Sequence, residues 1–365
     1  MHRDDQMTPN ERMRAYFSGE EVDRLPIMPM AGTISAKMAG MTQRERRSSA
    51  KNDARAQIHL YEELGLDGVG TEWGGYPVGR LFGSKINDPE DRVPAVVDHV
   101  IKHPSQIDEL HFEPDDLYKD PGFIHTIDTL KYCIDALHDE VGTAVIVQGP
   151  FTAAAGCWEI SQLLRATIRD PESVHKLMKI CTQVIEAGLE KIVAAGGGVT
   201  IVDPVASGSV ISRDAYLEFV QPYMTEIVQF MKGLGAGTGY HICGNTNAIT
   251  RDMVDTGATT LSVDALVDLE KAKEEVGDRV TLVGNVDPID AMMLGGPEEI
   301  EREIRKDLRK AWDSPRGFIL ATGCDTPLNA PVENLYAFMD IARRYARYPV
   351  DPARFEEPEG SESDV

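Results

Sequence analysis

Eight short apolar runs separated by helix-like segments leave this chain few folds to choose from. The runs are PIMPM (26–30), DGVGTEW (67–73), AVIVQGP (144–150), GVTIVDP (198–204), GTGYHIC (237–243), TTLSVDA (259–265), VTLVGNV (280–286) and GFILATG (317–323). They are rich in β-branched residues and bounded by Gly, Pro or Asp, which marks strands. Several are almost continuously apolar rather than alternating, as strands buried on both faces are. Between them, residues 53–65 form an amphipathic segment that stops at Gly65. Residues 170–197 carry Pro171 near the start and glycines at the end, the expected helical asymmetry. Residues 212–235 open on Ser212 as an N-cap and contain Pro222, which should kink or break the helix, and 297–313 begin with Pro297.

These alternations predict an α/β chain folded as a single-domain (β/α)8 barrel. A doubly wound open sheet is the runner-up, although no GxGxxG opens the first unit. Residues 1–20 read as a lead-in helix, 21–350 as the barrel and 351–365 as an acidic flexible tail. The stretch 74–120 is a loop insertion expected near the barrel mouth.

Charge narrows the partners. With 37 Lys+Arg against 60 Asp+Glu, the formal net charge is −23, which argues against nucleic acid or an anionic membrane. No apolar run reaches the ~20 residues a membrane helix needs, and the N-terminus has no apolar signal region. The cysteines at 133, 157, 181, 243 and 324 are scattered and odd in number, so reduced thiols in a cytoplasmic protein are expected.

In a barrel the chemistry sits at the C-terminal ends of the strands. Reading those ends gives Glu72 and Trp73, Gln148, Asp203, His241 with Cys243, Asp264, Asn285 with Asp287, and Cys324 with Asp325. His241 and Cys243 are two apart on a strand and so share a face. Closure of the barrel would bring Cys324 to them. Imidazole and thiolate suit Zn²⁺, and three protein ligands with one open position describe a catalytic zinc. A core histidine beside two ordinary buried cysteines fits the same pattern. Cys133, Cys157 and Cys181 lie in helix-like segments and read as packing. Asp264 is a fourth ligand, a base, a partner orienting His241 or a helix cap. Asp203 and Asn285 are substrate-binding candidates or turn residues. Trp73 stacks on a flat ligand or belongs to the core, and Glu72 and Gln148 complete the substrate-binding set.

The segments IVDPVASGSVISRDAY (201–216), YHICGNTNAITRDM (240–253), LSVDA (261–265), LVGNVDP (282–288) and ATGCDTP (321–327) resemble those of a known family. It is the uroporphyrinogen decarboxylase superfamily, and within it the MtaA/CmuA branch of corrinoid-dependent methyltransferases. The resemblance runs from GEEVDRLPIMP (19–29) to APVENLYAFM (330–339). It implies zinc held by His241, Cys243 and Cys324, and a methyl group moved between a corrinoid protein, as methylcobamide, and a small thiol activated as a zinc thiolate. Asp264 stands where the coenzyme M enzymes of the branch carry Glu, and is expected to hold the open position or take the proton. The decarboxylases differ: they carry an arginine-rich motif after the first strand, where this chain has MAGTISAKMAG (30–40). Other outcomes left open are an O-demethylase passing methyl from a methoxylated substrate to cob(I)amide, a decarboxylase, and a non-catalytic zinc- or corrinoid-binding protein.

Overall fold

In a computed structural model, described at residue 2 and residues 4–355, the strand segments lie side by side in chain order. We number the strands β1 (Val69–Glu72), β2 (Lys85–Ile86), β3 (Val96–Asp98), β4 (Thr143–Gln148), β5 (Gly198–Val202), β6 (Gly239–Ile242), β7 (Thr260–Val263), β8 (Thr281–Val286) and β9 (Phe318–Thr322). Seven of them form one sheet in the order β1-β4-β5-β6-β7-β8-β9, parallel at every pairing.

Residues 26–28 complete the ring. Ile27 pairs in parallel with Leu320 of β9. The Leu320 N–H donates to the Pro26 carbonyl, and the Met28 N–H donates to that of Leu320. On the other side, the Asp67 N–H donates to Ile27 just before β1. The strand expected over 26–30 is thus only a bridge, because Pro26 and Pro29 have no N–H to extend a ladder.

Strand register sorts side chains by face. Tyr240 is fully buried and its hydroxyl meets that of Tyr216, 3.4 Å away on helix Arg213–Phe219, so this row faces the helices. The other row runs through the registered neighbours Gln148, Val202, His241, Ser262 and Val283 and faces the barrel interior. One-residue alternation therefore aims His241 inward. Around the sheet run helices that include Ala50–Leu64, Pro171–Ala194 and Pro297–Ala311, close to the expected bounds. Pro222 breaks the segment 212–235 as expected, into Arg213–Phe219 and Gln221–Gly233.

The insertion at 74–120 is more ordered than a loop. It holds helix Pro77–Phe82, the antiparallel pair β2–β3 and two 3-10 turns, Pro104–Glu109 and Pro114–Lys119. It packs on helix Pro150–Cys157, which leaves the end of β4. A Cβ on Gly79 would come within 2.3 Å of the Gly156 carbonyl, so only glycine permits this approach. Ser84 Oγ also donates to that carbonyl at 2.9 Å. Of the stretch expected as a tail, Pro352–Arg354 is a 3-10 turn that seats Phe355 in the core; residues 356–365 lie outside the described residues. Among the described residues no helix is long and apolar enough to cross a membrane.

Candidate metal centre

β6 ends at Ile242 and the chain turns at once through Cys243 and Gly244. Gly244 has φ +80°, and a Cβ there would meet Ser207 Oγ at 2.8 Å, so the glycine is what lets Cys243 double back beside His241. Cys324 arrives from the far side of the ring, just past β9. Its neighbour Gly323 lies so close to the next loop that a Cβ would sit 2.3 Å from Ala265 N. His241 Nε2 is 3.3 Å from Cys243 Sγ, and Cys243 Sγ is 3.5 Å from Cys324 Sγ. One donor atom from each of the three residues lies within 4.8 Å of the others, a group able to hold a metal ion.

The neighbouring strand sets the imidazole. His241 Nδ1 is 3.2 Å from the Ser262 carbonyl and 3.1 Å from Ser262 Oγ. A carbonyl only accepts, so Nδ1 carries the proton in that contact and Nε2 keeps its lone pair for the sulfurs. The hydrogen bond between the two thiols separates their acidities. The contact with Cys243 first, and then the neighbouring His241, hold Cys324 below its ordinary value, while donation to Cys324, together with burial, raises Cys243.

Asp264 lies beside this group but outside it. Its two carboxylate oxygens accept from the Gly244 N–H at 2.8 Å and the Leu266 N–H at 3.0 Å. It therefore ties the loop that carries Cys243 to the loop after β7. Asn285 supports that loop from below: Nδ2 donates to the carbonyls of Asp264 and Val267, both at 2.9 Å. Its contacts are those of a loop brace rather than of a substrate ligand.

Two expected substrate contacts are placed elsewhere. Trp73 is 1% exposed, packed edge-on against Phe123 and over Gly188, so it belongs to the core and offers no stacking face. Asp203 is fully buried and accepts from the N–H groups of Phe151 and Thr152 and from the Thr152 hydroxyl, at 3.2, 2.7 and 2.6 Å. It caps helix Pro150–Cys157; burial raises its carboxyl to about 6. Gln148 and Glu72 do stay at the mouth. Gln148 lies in the inward row with His241, and its Oε1 is buried with no partner among the described residues. Glu72 is half-exposed and accepts from Arg46 Nη2 at 2.8 Å.

Ser262, Thr33 and Arg46 were not singled out by the sequence reading. Ser262 was findable, since it lies two residues before Asp264 on the same face of β7. Arg46 sits in QRERR (43–47), which reads as a solvated helix, yet it is 4% exposed. Cys133, Cys157 and Cys181 are all buried in helices.

The profile of the family described as uroporphyrinogen decarboxylase (URO-D) matches residues 8–345. The chain belongs to this family. Among curated URO-D relatives, the methylcobamide:CoM methyltransferase MtaA of Methanosarcina barkeri is 27% identical over 346 residues, covering 93% of this chain and 99% of the relative. The methylcobamide:CoM methyltransferase MtbA of Methanosarcina mazei is 28% identical over 348 residues, with 93% and 98% covered. A solved methyltransferase from Methanosarcina mazei superposes with a TM-score of 0.82 at 25% identity, covering 93% of this chain and 99% of that one. The URO-D barrel and the whole-length match to methyltransferases thus agree.

Proposed function

We infer that this chain is a corrinoid-dependent methyltransferase, and propose that it uses zinc to move a methyl group from a corrinoid protein to a small thiol. The observation that carries the reading is the meeting of His241, Cys243 and Cys324 at the mouth, from strand ends far apart in sequence. Relatives named as methylcobamide:CoM methyltransferases support the methyl transfer. The donor set fits zinc. Tetrahedral zinc with the usual bond lengths has N–S edges of about 3.6 Å and S–S edges of about 3.8 Å. The corresponding separations here, 3.3 and 3.5 Å, are within a few tenths of those values.

Zinc, when bound, lowers the pKa of a thiol so that its sulfur is anionic at neutral pH. His241 Nε2, Cys243 Sγ and Cys324 Sγ would hold it, with Ser262 fixing the imidazole. Asp264 keeps the Cys243 loop in place. In the transfer itself, the substrate sulfur donates an electron pair to the methyl carbon. The cobalt–carbon bond breaks, its electron pair stays on cobalt as cob(I)amide, and the thiol proton passes to solvent.

The corrinoid protein has to meet this end of the barrel. The loops after β5, β6 and β7 form one rim, held to β8: Gly208 packs on the Asn245 carbonyl, Asn247 Nδ2 donates to Leu266 O at 3.0 Å, and Asn285 at the end of β8 donates to Val267. With the loop that follows β8, this rim exposes Val210, Leu266, Ile289 and Leu294, with Leu266 at 62% and Leu294 at 70%. Such apolar groups suit a protein partner.

The test is direct. Purified protein should contain about one zinc per chain, and the zinc form should consume methylcobalamin when a thiol is added. Absence of metal, or silence with every thiol beside methylation of cob(I)alamin by a methoxyarene, would replace this reading with the demethylase or a metal-free alternative.

A further inference from the structure

The mouth carries more acid than the metal donors use. Asp325 directly follows Cys324; one of its carboxylate oxygens accepts from the Thr33 hydroxyl. The other, Oδ1, is buried with no partner among the described residues. Glu72 lies near enough for its charge to act on Asp325. The cation of this corner, Arg46, has both terminal nitrogens engaged: Nη2 donates to Glu72 at 2.8 Å and Nη1 to the Gly32 carbonyl at 3.1 Å, while Nε makes no hydrogen bond among the described residues and lies 3.8 Å from Asp53. A sulfonate or carboxylate placed here would meet two carboxylates and a guanidinium whose terminal nitrogens already donate within the protein. A buried acceptor left without a donor is unfavourable, and at a reaction centre a ligand can supply what the protein does not.

Resting on the thiol reading above, we propose that the small methyl acceptor carries an ammonium, or a comparable N–H donor, a short carbon chain away from its sulfur. Asp325 Oδ1 receives that donor and Glu72 adds favourable charge, so both are specificity residues. The acceptor is then an aminothiol. This separates the chain from relatives whose names specify coenzyme M, a thiol that ends in a sulfonate.

Three thiols of equal length test it on the zinc-loaded protein with methylcobalamin: 2-aminoethanethiol, 2-mercaptoethanol and 2-mercaptoethanesulfonate. The expected kcat/KM favours the aminothiol over the sulfonate by about tenfold or more. Asp325→Asn, at unchanged zinc content, should narrow that ratio about tenfold. Glu72→Gln, at a half-exposed site, should narrow it less and serves if Asp325→Asn does not fold. Preference for the sulfonate, or a ratio that neither substitution moves, would overturn this inference and leave the methyltransferase reading standing. Failure with all three thiols would overturn both.

Discussion

At the end of the barrel where the strands begin, Arg12 and Arg24 are buried and shared among Asp5, Asp23 and Asp67. Asp67 alone accepts from both arginines and from the Ile27 N–H at 2.7 Å. At the opposite end, Gln148 Oε1 and Asp325 Oδ1 are buried without partners among the described residues, beside an imidazole and two thiols. Charge buried with every lone pair filled holds a structure in one arrangement, although it adds little net stability. Polar atoms left unfilled at a strand C-terminal face are available to ligands. The contrast teaches which carboxylates to suspect: not the most buried, but those at the strand C-terminal face whose acceptors lack donors.

The largest effects should split cleanly between the two ends. Cys324→Ala is expected to lose the metal and at least about 10³-fold in methyl transfer, with the urea midpoint nearly unchanged. Asp67→Ala should do the reverse, costing about 3 kcal/mol of stability by removing the carboxylate that both buried guanidinium groups share, while folded molecules still bind zinc. Equal loss of stability from both substitutions would dissolve the contrast.

Ser262→Ala probes how far the mouth depends on its supports. Loss of the Nδ1 contact should weaken zinc binding by about 10- to 100-fold, read by chelator competition. Unchanged affinity would mean that the Ser262 carbonyl alone orients His241. At the rim, Leu266→Glu with Leu294→Glu should slow transfer from the methylated corrinoid protein about tenfold but leave free methylcobalamin unaffected; equal slowing of both would remove the rim as a docking face.

The smallest effect is in acid. Burial alone would raise the Asp23 carboxyl, but hydrogen bonds from Arg12 and from the N–H groups of Gln6 and Met7 outweigh it and hold the group at about 2, below its ordinary 3.8. A depressed carboxyl stabilises the fold above its unfolded pKa and loses that contribution as pH falls through the folded value. The stability difference between wild type and Asp23→Asn should therefore be constant above about pH 4 and shrink towards pH 2. A difference that persists at pH 2 would place the stabilisation elsewhere.

Much of the site was legible because strand periodicity is local. That His241 and Cys243 belong together follows from their spacing, and the late cysteine from its place after an eighth apolar run. The same rule separates Trp73 from Glu72: the two are consecutive and cannot share a face, and the aromatic one went to the core. Asp203 stayed open between a substrate contact and a turn residue because a strand-end aspartate looks the same whether it meets substrate or caps a helix. Its partners, the N–H groups of Phe151 and Thr152, are about fifty residues away in sequence. Arg46 left no signal, since nothing in a run of charges marks the one that is buried.

The order of strands and helices, an α/β class with a closed barrel favoured over an open sheet, and the shared face of an imidazole and a thiol were set by the sequence alone, through spacings of two and of three to four residues. Only the tertiary structure decided that Ile27 meets Leu320 to close the ring, that Cys324 then reaches a thiol 81 residues earlier, and that Asp264 spends both oxygens on backbone N–H groups while Asp325 keeps one free of any described partner. The reason is physical: periodicity fixes where a side chain points on its own strand, whereas the strand it faces depends on register and closure across the whole barrel.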